Sequence, residues 1–113
     1  MTFDEALYKI SCANWITDKD ILKMEGKDGN RIAHYQARRG WFTEDSEILR
    51  LKNDSGHSVA HLQSINGWIT EDPELLEISD ADNINIYQIQ KFRGWKPKTP
   101  DGKAYELTQR LKE

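Results

Sequence analysis

The stretch GWFTEDSEILRL at residues 40–51 recurs as GWITEDPELLEI at residues 67–78. The second copy keeps the Gly-Trp pair, the Thr-Glu-Asp triplet, the next Glu and two aliphatic residues. Self-similarity at a fixed period of about 20–50 residues is typical of arrays built from one supersecondary unit. The chain is therefore expected to consist of several copies of a short unit.

The tryptophans show how far the repeat extends, because Trp15, Trp41, Trp68 and Trp95 follow one another at nearly equal intervals. They predict a single domain, 1–113, with repeats at about 2–27, 28–54, 55–81 and 82–100 and a capping helix at about 101–112. One tryptophan at a fixed place in each copy is typical of an inter-repeat core residue. A stacking platform for bases or sugars is the alternative.

Each copy predicts two short helices. The first lies between Gly29 or Gly56 and a left-handed C-capping glycine at Gly40 or Gly67. The second starts at Asp45 or Asp72, whose carboxylate can cap the free N–H groups of the first turn. Helices this short need neighbours to be stable. The predicted fold is therefore all-α: a short right-handed solenoid of four helix-pair repeats with a C-terminal capping helix.

The segment Gly56-His57-Ser58-Val59-Ala60-His61, followed by Gly67, resembles the ankyrin repeat, and residues 29–40 resemble it equally well. The copies are about six residues shorter than the roughly 33 of that family, so the resemblance implies loss of the β-hairpin finger between repeats. It also implies that His34 and His61 hydrogen-bond backbone groups between repeats. Ile32 and Val59 stand where the family has proline, and tryptophan follows the glycine where the family usually has histidine.

The resemblance further implies a binding face on the first helices. The positions one and four residues after the histidine would face the concave side, with polar residues beside them. This predicted partner-binding set is Tyr35, Arg38, Arg39, Leu62, Ile65, Asn66, Ile89, Phe92 and Arg93. The alternative is that the helices rotate, in the absence of fingers, and turn the apolar members of this set into the core.

Recurring acids define a second candidate surface, called here the acidic ridge. It comprises Glu44, Asp45, Glu47, Glu71, Asp72 and Glu74. An active site is formed once, whereas these acids recur with the repeat, so helix capping explains them better than catalysis. The ridge could receive a basic partner or imitate a phosphate backbone; a merely solvated face is the alternative. We expect neither an enzyme nor a cofactor.

Composition describes an ordinary soluble domain, with 37% apolar residues, a net charge of -3 and no apolar run of membrane-spanning length. The acidic N-terminus and the lone Cys12 favour the cytoplasm. Residues 55–80 contain five acidic and no basic residues, whereas Lys91, Arg93, Lys96, Lys98 and Lys103 cluster near the C-terminus.

These patterns predict a protein-interaction module, an adaptor or an inhibitor, that is a monomer or a homodimer. The first alternative is a nucleic-acid-associated protein that uses the basic C-terminal residues. The second is a phage or mobile-element inhibitor of a host nucleic-acid enzyme, which would use the acidic ridge. His57 and His61, four residues apart, supply only half of a zinc site, and no metal is expected.

Overall fold

The computed structural model describes residues 1–112, which form eight α-helices and no β-strand. The helices are α1 Phe3–Ser11, α2 Lys19–Leu22, α3 Ile32–Arg38, α4 Ser46–Leu49, α5 Val59–Ile65, α6 Pro73–Leu76, α7 Ile86–Phe92 and α8 Pro100–Lys112, with a 3-10 turn at Lys27–Gly29. The all-α prediction is confirmed. None of these helices combines the length and the apolar character needed to cross a bilayer.

Long and short helices alternate along the chain. The long helices contact each other in chain order, α1 with α3, α3 with α5 and α5 with α7. Each short helix between them is a single turn of four residues. The molecule measures 48 × 25 × 21 Å, so it is elongated.

The helix boundaries follow from local chemistry. Asp45 accepts a hydrogen bond from the Ile48 N–H at 3.1 Å, and Asp72 accepts one from the Glu74 N–H at 2.9 Å. Pro73 occupies the first turn of α6, where its missing N–H costs nothing. The predicted N-caps are confirmed. Asp18 caps α2 in the same way, through the Asp20 and Ile21 N–H groups.

The short helices end after one turn because the chain must immediately enter a tight connection. The N–H groups of Ile32, Val59 and Ile86 donate to carbonyls eight residues earlier, at 3.0–3.1 Å. Isolated β-bridges close the three connections: Glu25 with Arg31, Lys52 with Ser58 and Ser79 with Asn85. Each connection thus contains one isolated β-bridge and does not form an extended β-hairpin.

The long helices end at left-handed residues. Gly40, Gly67 and Gly94 have φ of +98°, +100° and +90°, which confirms the C-cap prediction for the first two. Ala13 holds the corresponding place after α1, with φ of +58°. An alanine Cβ is strained there, because it approaches the following carbonyl oxygen.

We therefore expect Ala13→Gly to raise the free energy of unfolding by about 1 kcal/mol, since glycine adopts this conformation without strain. Chemical denaturation followed by circular dichroism measures the change. Gly40→Ala is the reciprocal control and should be destabilising by a similar amount. A loss of stability in Ala13→Gly would contradict this account of the end of α1.

The tryptophans are buried to different degrees. Trp68 and Trp95 are 4% and 7% exposed, Trp41 is partly buried, and Trp15 is 37% exposed. The Trp68 indole N–H donates to Glu44, 24 residues earlier, at 2.9 Å. The preceding copy of the sequence motif thus contributes to the burial of Trp68, whereas Trp15 lies in the first copy. The prediction of a core tryptophan in every copy is wrong for Trp15.

The helix α8 covers the segment that was predicted to form a capping helix, and it begins at Pro100. It packs against α6. Tyr105 lies 5.3 Å from Tyr87 between ring centroids and donates its hydroxyl hydrogen to Glu77 at 2.8 Å. Burial and the hydrogen bond to this carboxylate raise the pKa of Tyr105, so its hydroxyl stays a donor.

Candidate functional site

The predicted partner-binding residues lie on three neighbouring long helices, α3, α5 and α7, and at their C-caps. We call their exposed side the α3–α5–α7 face. Its apolar members divide into two rows. The upper row comprises Tyr35, Leu62 and Ile89, and the lower row, one helical turn later, contains Ile65 and Phe92.

The two rows differ in exposure. Phe92 is 93% exposed and Ile65 is 58% exposed. Tyr35 and Leu62 are partly buried against the core, and Ile89 is also half-buried. The alternatives of a fully exposed and a fully buried stripe are therefore both inaccurate. The side chains of the lower row are accessible to a partner, whereas those of the upper row are only partly accessible.

Part of the face is concave. Ile84, Gln88, Ile89 and Phe92 line a shallow groove of about 370 Å³ on α7 and the connection before it. Ile84 is 41% exposed, and the sequence analysis did not select it. Tyr8 was also missed. It is 72% exposed and lies on α1, one repeat before Tyr35, so the repeat period could have identified it.

The polar members of the face have different surroundings. The Arg38 guanidinium lies 5.9 Å from the centre of the Tyr35 ring and donates to Asn30 at 3.0 Å. Asn66 is committed to the fold, because its side chain donates to the Ala37 carbonyl at 2.7 Å. Arg39 and Arg93 are exposed. Within residues 1–112, no ion pair involves either of them or Arg38.

The acidic ridge is largely occupied by internal contacts. Besides the two capping aspartates, Glu44 accepts from Trp68, and Glu47 pairs with Lys23 at 2.7 Å. Lys19 bridges Asp45 and Glu47, at 2.7 and 3.3 Å. These lysine contacts lower the pKa of both carboxyls. Glu74 is exposed.

Glu71 anchors the segment that leads into α8. Its carboxylate accepts from the N–H groups of Lys98 and Thr99 at 3.0 and 2.8 Å, and from the Thr99 hydroxyl at 2.7 Å. Burial opposes the charge, but the donors of Thr99 and Lys98 outweigh it and lower the pKa of Glu71. Five of the six ridge carboxylates thus hold this fold together.

Each of the two buried histidines hydrogen-bonds the connection that follows its helix in the chain. His34 Nδ1 accepts the Arg31 N–H at 3.0 Å, so its Nε2–H donates to the His57 carbonyl at 3.2 Å. The His61 Nε2–H likewise donates to the Ile84 carbonyl at 2.7 Å. These bonds are the ones that the ankyrin resemblance implied. Burial lowers the pKa of His34 to about 4 and also lowers that of His61.

Three buried glutamines form a contact that the sequence analysis missed. Gln36, Gln63 and Gln90 each bond both backbone groups of one residue, 20 positions earlier. The Gln90 amide accepts the Thr70 N–H at 2.8 Å and donates to its carbonyl at 3.0 Å. Gln36 binds Ile16, and Gln63 binds Thr43. The equal spacing of these glutamines, one in each of the last three copies, was the available signal.

The remaining candidate groups are the basic C-terminal residues and the pair His57 and His61, and the structure does not bring either of them together into a binding site. Lys91, the first of the basic C-terminal residues, pairs with Glu106 at 2.7 Å. His61 uses both ring nitrogens internally, and the neighbouring His57 is exposed. Among the residues that the structure describes, no group of three His, Cys, Asp or Glu could hold a metal ion.

Comparison with known proteins gives no relative from which a function could be transferred. No protein-family model, no curated protein and no solved structure matches this chain.

Proposed function

We propose that the chain is a protein-interaction module whose α3–α5–α7 face binds a partner protein. The observation that carries the proposal is the exposure of Phe92 and Ile65, which lie at equivalent positions of adjacent helices. Large apolar side chains that cluster on a surface mark interaction sites more often than isolated ones do. Aromatic side chains also contribute a large share of binding energy in interfaces.

We further propose that the four copies form a short ankyrin-like solenoid. The glutamine bonds span 20 residues, the histidine bonds span 23, and the tryptophan bond spans 24. Such recurring contacts between neighbouring copies support a stacked array. A stack of this kind presents its helices side by side, which supplies the broad face that an adaptor or an inhibitor needs.

Between the two predicted surfaces, the α3–α5–α7 face is the better candidate. Contacts inside the molecule occupy most of the acidic ridge, so a partner would have to compete with helix caps and ion pairs for its carboxylates. Contact with nucleic acid through the C-terminal basic residues remains the second candidate, although the Glu106 carboxylate already neutralises Lys91.

The test is a pull-down from the native cell extract with Ile65→Asp/Phe92→Asp as bait beside the wild type. Both side chains are exposed, so we expect the variant to fold and its bound partner to fall by at least about tenfold. Leu107→Asp/Leu111→Asp is the matched control, because these leucines on α8 are 60% and 79% exposed.

Circular dichroism and thermal unfolding establish that each bait is folded. Loss of the partner with the α8 control, and its retention with Ile65→Asp/Phe92→Asp, would move the site to α8 and refute the proposal. Leu62 is unsuitable for this test. It packs partly against the core, so an aspartate there would destabilise the fold.

A further inference from the structure

Charge is unevenly distributed among the helices, which restricts the chemistry of a partner at the α3–α5–α7 face. Residues 31–39, 58–66 and 85–93, which comprise α3, α5 and α7 with their caps, contain five Lys or Arg and no Asp or Glu. The segments 44–50 and 71–77, around α4 and α6, contain seven acids and one Arg. Because the whole chain has a net charge of -3 and α1 carries Asp4 and Glu5, the absence of acids distinguishes the three helices of this face.

Two of the cations lie at the C-caps of α3 and α7, at the same end of these helices as the lower apolar row. Arg93 follows Phe92 in the chain, and Arg39 has the equivalent position on α3. Both are exposed, and neither belongs to any ion pair of the described residues. A guanidinium pairs with a carboxylate through two parallel hydrogen bonds, which makes carboxylates its preferred protein partners.

The spacing of the helices indicates the form of the partner. Packed helices lie about 8–10 Å apart, so a segment that crosses α3, α5 and α7 must present one side chain at about that interval. In an α-helix, seven residues rise about 10.5 Å and return to the same face. In a strand, side chains on one face recur at about 6.7 Å, which does not match.

We infer that the partner offers an acidic amphipathic helix, with apolar residues seven apart that cover Ile65 and Phe92 and carboxylates that pair with Arg39 and Arg93. This inference rests on the proposed function and specifies the class of partner for the same face. A nucleic acid would satisfy the guanidinium groups, but its phosphate backbone would leave the apolar row uncovered. A protein helix satisfies both.

A displayed library of helix-forming peptides tests the inference. The peptides have three heptads with randomised residues on one face, and the baits are the wild type, Arg39→Glu/Arg93→Glu and Ile65→Ser/Phe92→Ser. We expect the wild type to enrich Asp and Glu beside aliphatic residues seven apart. The charge-reversed bait should enrich Lys and Arg instead and bind the selected acidic peptides at least about tenfold more weakly.

The outcomes separate this inference from the proposed function. Peptides that depend on Ile65 and Phe92 but lack an acidic bias would overturn the inference and leave the proposed function standing. Peptides that ignore both side chains, or no enrichment at all, would count against both. Arg39→Gln/Arg93→Gln replaces the reversed bait if that bait loses helicity. It should abolish the acidic bias without creating a basic one.

A nucleic-acid arm completes the test. The probes are a 20-base-pair DNA duplex and a 20-nucleotide RNA, titrated into the wild type at about 50 and 200 mM salt. We expect both to bind more weakly than the selected acidic peptides. Tighter binding of either probe, with a steep loss between the two salt concentrations, would overturn the acidic-helix inference in favour of nucleic acid.

Discussion

Replacing Gln90 by leucine is expected to lower the free energy of unfolding by about 3 kcal/mol. The Gln90 side chain is 2% exposed, and it satisfies both backbone groups of the buried Thr70. Leucine fills a similar volume but leaves the Thr70 N–H and carbonyl without partners away from water. An unsatisfied buried polar group costs about 1–3 kcal/mol, so this loss should exceed that of an ordinary surface substitution several-fold.

Equilibrium urea unfolding measures this effect. Gln109→Leu is the control for the chemical change, because Gln109 is only half-buried on α8. Gln90→Glu tests the geometry. A carboxylate can still accept the Thr70 N–H but cannot donate to the Thr70 carbonyl, so this variant should also be destabilised. A Gln90→Leu protein as stable as the wild type would show that the amide contact contributes nothing to stability.

Acidification from pH 6.5 to about 4 is expected to lower the free energy of unfolding through the buried histidines. In the folded protein, burial holds the pKa of His34 near 4, against an ordinary value of 6.5. Within this window the unfolded chain therefore binds a proton that the folded protein does not. Stability falls as the pH falls. His34 should contribute about 2–3 kcal/mol to the loss, at about 1.4 kcal/mol for each unit of the difference in pKa.

Urea unfolding at pH 7, 6, 5 and 4.5 measures this slope, and His34→Gln should flatten it. Glutamine is a compatible replacement because Gln88, one repeat after His61, accepts the Asn85 N–H in the same way as His34 accepts that of Arg31. His57→Gln, at an exposed position, is the control for replacing a histidine by glutamine. An unchanged slope in His34→Gln would exclude this histidine as the cause.

Local rules predicted the helix boundaries from the sequence, because their causes lie within a few residues. Gly40 and Gly67 are left-handed, and Asp45 and Asp72 cap the short helices. The lengths of the short helices were harder to predict. They depend on the bridges that close the next connection, and these involve backbone groups that carry no sequence signal.

The glutamine contacts escaped prediction for a physical reason. Hydropathy places glutamine on the surface, whereas Gln36, Gln63 and Gln90 are almost fully buried. Their partners are backbone atoms of a segment 20 residues earlier, so no side-chain pattern marks the other half of the contact. Only the regular spacing of the glutamines pointed to a shared role.

The candidate site was predicted in part. The resemblance selected Ile65 and Phe92, which are exposed, together with Leu62 and Tyr35, which pack partly against the core. The positive charge of the face was missed, since charges were counted along consecutive segments of the chain. Consecutive segments of the chain combine α3 and α7, whose charged residues are basic, with α4 and α6, whose charged residues are acidic, so those counts averaged the two.

The glutamine and histidine contacts point in opposite directions along the chain, which gives its synthesis an order. Gln63 binds Thr43, which leaves the ribosome before it, whereas His34 must wait for the His57 carbonyl, 23 residues later. The glutamine of a newly synthesised copy can therefore bond the copy before it as soon as both have left the ribosome. The histidine of that same new copy forms its bond only after the next copy has been synthesised, so the last copy of a nascent chain lacks its histidine bond.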